Sequence, residues 1–152
     1  MAINPNTDFS SGAVLTAAQQ NRFPRGIMAY GTNTATDSTV TVEEQEVAPI
    51  TFTAVANRYY RITYYEPAFG STTAAAMTMR IRQTNITGTV LQTSQVYNNS
   101  FYQQSGICMG YATFSAGSVT ILATLQNSTG TGGATRSSTS YAFLSVEDVG
   151  PA

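Results

Sequence analysis

Lysine, histidine and tryptophan are absent from the 152-residue chain, cysteine occurs once, and all seven basic residues are arginine. Without histidine there is no Ser/His or Cys/His catalytic pair and the commonest metal ligand is missing. Without lysine there is no Walker loop, Schiff base or Ser/Lys dyad. Cys108 cannot form a disulfide within the chain; in the apolar run 106–111 it reads as a small buried hydrophobe. Charged residues make up 10% of the chain, against about 25% in ordinary soluble domains. A net charge of −1 with scattered arginines lacks the dense basic footprint of a nucleic-acid-binding surface. No apolar run approaches the roughly 18 residues of a membrane span, and the N-terminus carries no basic, then apolar, secretory signal.

What is present is a Thr-, Ser-, Asn- and Tyr-rich sequence with 42% hydrophobic residues. Such side chains hydrogen-bond water without mutual repulsion, and Thr and Tyr suit β-strands. Residues 1–25 read as a polar arm followed by a short helix. Thr16 and Gln19 match a capping box, predicting a helix from Ala17 to about Arg22, where Pro24 ends it. So short a helix is unstable alone and must dock on something.

From residue 26 to 152 the period shifts to two, the strand signature. Ile50, Phe52 and Ala54 alternate with Thr51 and Thr53. Tyr60, Ile62 and Tyr64 alternate with Tyr59, Arg61 and Thr63. Met77, Met79 and Ile81 alternate with Thr78, Arg80 and Arg82. Val119, Ile121, Ala123 and Leu125 interleave with Thr120, Leu122 and Thr124, and Ala142, Leu144 and Val146 with Tyr141, Phe143 and Ser145. Further strands are expected at 26–32, 38–43, 88–97 and 107–114, with turns at 56–57 and 115–117 and a flexible loop at 130–133. About eight or nine short strands of this kind predict a single all-β domain, a β-sandwich or jelly roll.

Several strands are bulky on both sides. Tyr59 and Tyr65 oppose Tyr60 and Tyr64, Leu122 opposes Ile121, and Tyr141 and Phe143 oppose Leu144. A sandwich with a wet outer face has no need of this. The expectation is a subunit interface containing Tyr59, Tyr65, Tyr141 and Phe143.

Carboxylate pairs are the remaining route to hydrolytic chemistry. In Glu43-Glu44-Gln45-Glu46, an extended backbone places Glu44 and Glu46 on one face, where they could act as acid and base or hold a cation. The reading adopted is a solvated loop, with no catalytic, cofactor or metal residue. Glu147-Asp148 is expected to pair with an arginine or to cap a turn. Arg80 and Arg82, with Arg58 and Arg61, could form a cross-strand cluster with glutamates or a contact for an acidic polymer; the reading adopted is surface ion pairs.

Two terminal segments carry a resemblance. Residues 12–21 (GAVLTAAQQN), followed by Phe23-Pro24-Arg25-Gly26-Ile27, resemble the opening of many tailed-phage structural proteins, notably minor tail proteins of phages infecting actinobacteria. The ending 143–151 (FLSVEDVGP) is similar to the termini of the same proteins. The resemblance implies a jelly roll of the tumour-necrosis-factor/C1q-like kind, a homotrimer, and a place on the virion surface after release by lysis.

The expectation is therefore a non-enzymatic virion protein with no cofactor, no membrane and no nucleic-acid partner. As a capsid decoration protein it would dock on the major capsid protein through Val14, Leu15, Arg22, Phe23 and Arg25. Alternatively, as a minor tail or fibre-tip protein it would present loops to a host cell-wall glycan. A third reading is a free lectin-like module stacking sugars on Tyr97 and Tyr102.

Overall fold

The computed structural model describes residues 12, 14–99 and 103–152. Along the chain come α1 (Ala17–Gln20), β1 (Gly26–Asn33), β2 (Asp37–Val40), β3 (Glu44–Ala54), β4 (Arg58–Ser71), β5 (Ala75–Gln83), β6 (Val90–Asn98), β7 (Gln104–Ala112), β8 (Gly117–Asn127), β9 (Gly132–Ala134) and β10 (Ala142–Pro151). One sheet has the order β1-β10-β4-β9-β2, with β7 on the other side of β4; the second has the order β3-β8-β5-β6. The pairs are antiparallel. The chain crosses between the sheets after β2, β3, β4, β6, β7 and β8, so the protein is a jelly-roll sandwich.

The core lies where the inward residues of the two sheets meet. Ile50, Phe52, Tyr60, Ile62, Tyr64, Met77, Met79, Ile81, Val119, Ile121, Leu125, Leu144 and Val146 are all buried, on the strand faces that the alternation predicts. Each such side chain stabilises the fold by about 1.5–3 kcal/mol relative to exposure. At one end Phe52 and Tyr60 lie 5.0 Å apart, each 5.8 Å from Phe114. The Tyr60 hydroxyl accepts from the Val55 amide at 2.7 Å. That bond closes the tight β3–β4 turn, where Asn57 has φ 59, a left-handed conformation that Asn tolerates. Gly106 lets β7 pass close over the core: a Cβ there would lie 2.7 Å from both Met79 Sδ and Phe69 Cε1.

Some expectations need correction. The helix is Ala17–Gln20, shorter than expected, although the Thr16/Gln19 capping box is present. Arg22 and Phe23 amides bond to Gln19 and Gln20 carbonyls, a tightened last turn ahead of Pro24. The expected 130–133 loop is half strand. Gly132 and Gly133 belong to β9, which bridges β2 and β4, and Gly132 packs where a Cβ would meet Met77 Cε at 2.9 Å. Leu122, the bulky residue on the face opposite Ile121, is 1% exposed within this chain. Its strand neighbour is Arg82, and residues directly opposite on paired strands share a sheet face.

Candidate functional site

Two arrangements stand out: the outer face of the larger sheet and a buried carboxylate cluster at one end of the sandwich. On the outer face, register places Phe143 beside Tyr65, and Tyr65 beside Ile107. Thr63 lies beside Met109 and Arg61 beside Tyr111. Phe143 stacks on Tyr30 at 5.8 Å and packs on Tyr65 at 5.4 Å. Of the residues expected at an interface, Tyr59, Tyr65 and Phe143 are half-buried and Tyr141 is exposed. Tyr65, Phe143 and Tyr141 come together and line one pocket with Tyr30 and Pro67; Tyr59 lies further along β4, opposite Gly150.

Sequence reasoning missed several exposed members of this face. Tyr30 is 50% exposed, Ile107 58%, Met109 45% and Tyr111 59%. The signal was present in the alternation Ile107, Met109, Tyr111 about Cys108, which a reading of 106–111 as a uniformly apolar run conceals. Burial pushes the Cys108 thiol up to about 11, which keeps it protonated and unreactive.

Val14, Leu15 and Phe23 of the expected docking segment are exposed, and α1 buries none of its residues. Arg22 is half-buried, and Arg25 stands 4.0 Å from Asp148 Oδ2. Arg58 helps tie this segment down. It donates to Asp148 Oδ2 at 2.5 Å and Oδ1 at 2.7 Å, and to the Asn21 and Phe23 carbonyls at 2.5 and 2.6 Å.

The arginines do not form one cluster, because β4 and β5 belong to different sheets. Arg61 pairs with Glu147 and Arg58 with Asp148 on the larger sheet, so Glu147 and Asp148 do pair with arginine as expected. Arg80 and Arg82 meet Glu43 on the smaller one, at 2.9 and 2.6 Å. Thr124 donates to the same Glu43 at 2.6 Å. The hydrogen bond from Arg82, strengthened by the charge of both arginines, holds the Glu43 carboxyl below its usual range.

The stretch 43–46 is therefore no solvated loop. Glu44 and Glu46 open β3, and a bulge between Gln45 and Val47 turns both Glu46 and Val47 into the interior. Arg136, just after β9, donates to Glu46 Oε2 at 2.5 Å. It also donates to Glu66 Oε1 at 2.8 Å and Oε2 at 2.7 Å. Tyr64 adds its hydroxyl to Glu66 Oε2 at 2.8 Å. Burial nevertheless pushes the Glu46 carboxyl up to about 7, with Arg136 opposing the shift and the charges of Glu66 and Asp37 adding to it. Glu44 is also raised, by burial and then by Asp37. One oxygen of Asp37, of Glu44 and of Glu46 lie within 4.8 Å of one another.

Of the two aromatic residues expected to stack sugars, Tyr97 is 67% exposed on β6; Tyr102 lies outside the described residues. Fold and sites together define a jelly-roll sandwich with an apolar outer face and a buried ionic cluster. No family model matches the chain, and no curated protein matches its sequence. Among solved structures, it is similar to that of Eiger TNF from S. frugiperda, with 12% identity, a TM-score of 0.45, and coverage of 84% of this chain and 96% of that one. It is more distantly similar to Arthrobacter globiformis T6 isomalto-dextranase complexed with panose, with 16% identity and a TM-score of 0.33 over 63% of this chain. The match spans 16% of the isomalto-dextranase chain.

Proposed function

We propose that the protein is a non-enzymatic structural component of a phage virion that works as a homotrimer. The observation that carries the assembly is the outer face of the larger sheet. Tyr30, Ile107, Met109 and Tyr111 stand exposed there beside Tyr65, Tyr141 and Phe143. Several large apolar side chains side by side on a strand face are what a subunit interface supplies. The virion location rests on the terminal sequence motifs alone. Within that location the preferred role is capsid decoration on the head shell, since the exposed Val14, Leu15 and Phe23 offer apolar anchors close to Arg22 and Arg25.

The terminal motifs themselves favour a second role, a minor tail or fibre-tip protein that contacts a host cell-wall glycan. Gel densitometry of purified particles separates the two: abundance approaching that of the capsid protein supports decoration, and abundance matching tail-tip proteins overturns it. Light scattering of the purified protein tests the trimer, and the mass of one 16.2 kDa chain discards it. Deletion tests of docking stop at Gln20, because the Asn21 and Phe23 carbonyls are partners of buried Arg58. The chain lacking residues 1–20 is expected to remain folded and to lose attachment to particles.

A further inference from the structure

At the end of the sandwich where β2 and β3 begin, the negative charge exceeds what surrounds it. Asp37, Glu44, Glu46 and Glu66 gather near a single guanidinium, that of Arg136. That guanidinium is already engaged with Glu66, Glu46 Oε2 and the Ala35 carbonyl. Glu46 is 2% exposed, yet its Oε1 is buried with no hydrogen-bond donor, and Glu44 Oε1 shares that condition. A buried carboxylate oxygen without a donor is costly, and natural interiors supply a partner. Each orphan oxygen belongs to a side chain of the Asp37–Glu44–Glu46 triplet.

We propose that Asp37, Glu44 and Glu46 bind a divalent cation of the Ca²⁺ type, which clips the start of β2 to the start of β3. The ligands are hard carboxylate oxygens, the chemistry such ions take. Oxygens about 2.4 Å from a shared Ca²⁺ lie no more than about 4.8 Å apart, and the three here lie within 4.8 Å of one another. Mg²⁺ gives up its water reluctantly and is seldom held by an all-protein set of carboxylates, so the three side chains suit Ca²⁺ better. The site is also braced. Asp37 Oδ1 accepts from the amide and hydroxyl of Thr39 at 2.8 and 2.9 Å. Glu46 Oε2 is fixed by Arg136, and the Glu46 carbonyl accepts from Asn33 Nδ2 at 2.5 Å. The ion supplies the positive charge that Arg136 alone does not.

The test uses the full chain stripped with EDTA, titrated with CaCl₂ or MgCl₂ and followed by calorimetry and thermal unfolding. CaCl₂ about 100-fold above its Kd is expected to raise Tm by roughly 5–10 °C, with MgCl₂ giving less. Asp37→Asn and Glu44→Gln leave the Arg136 bonds untouched and are expected to remove the binding heat and the Tm rise. Three results overturn the proposal: no heat and no shift at millimolar CaCl₂, a full shift in the Asp37→Asn/Glu44→Gln double variant, or an equal shift with MgCl₂.

Discussion

Arg136 has 1% of its side chain exposed and holds Glu46 and Glu66 on either side. Removing one member of a buried ionic group leaves uncompensated charge in the interior and typically costs about 3–5 kcal/mol. Arg136→Leu is expected to lower the unfolding free energy by about that amount in urea denaturation. A loss under about 1 kcal/mol would mean that water reaches those carboxylates. At Cys108 the thiol is raised from 9.0 to about 11 by burial. The folded protein therefore binds this proton more tightly than the unfolded chain, so the contribution is complete below pH 9 and disappears as pH climbs through 11. Iodoacetamide at pH about 8 should leave the native protein unlabelled by mass spectrometry and modify it once unfolded in urea.

At the scale of elements, the smaller sheet is tied across its strands by one carboxylate. Glu43, just ahead of β3, takes hydrogen bonds from Thr124 on β8 and from Arg80 and Arg82 on β5. Arg82→Ala removes two of these bonds and the Gly88 carbonyl contact. The expected loss is about 1–2 kcal/mol, read as a lower urea midpoint with unchanged m. A changed m would indicate that the β5–β8 pairing itself had come apart. The N-terminal segment contrasts with this sheet. Its capped helix buries nothing, and the backbone carbonyls of Asn21 and Phe23 that follow it are gripped by Arg58 beside Asp148.

For the whole molecule, the outer face of the larger sheet decides whether the sandwich works alone. Met109 lies on it, 45% exposed, between strand neighbours that point the same way. Met109→Arg places a charge among apolar side chains without disturbing the core. It is expected to reduce the proposed trimer to 16.2 kDa chains in light scattering, with circular dichroism unchanged. The parent protein should also show a Tm that rises with its concentration, as linked folding and association require. A concentration-independent Tm together with a monomer mass would set the face aside as an interface.

The sequence by itself determined the fold class and most of the core. Period-two alternation is local: once Tyr60, Ile62 and Tyr64 share a strand face, they must be buried together. The capping box at Thr16 and Gln19 and the inert Cys108 were legible for the same local reason. Tertiary structure decided which charges meet. Arg136 finds Glu66 and Glu46 at separations of 70 and 90 residues, a pairing set by the order of strands and invisible to any local pattern. It also decided that Arg58 and Arg61 part company with Arg80 and Arg82, since a jelly roll sends consecutive strands β4 and β5 to opposite sheets.

The bulge at Glu46 is the sharpest case. Register shifts between Gln45 and Val47 and between Val47 and Ile50 leave Glu46 and Val47 both buried, neighbours that strict alternation would send to opposite faces, and register is fixed by the partner strand rather than by the sequence of the strand that carries it.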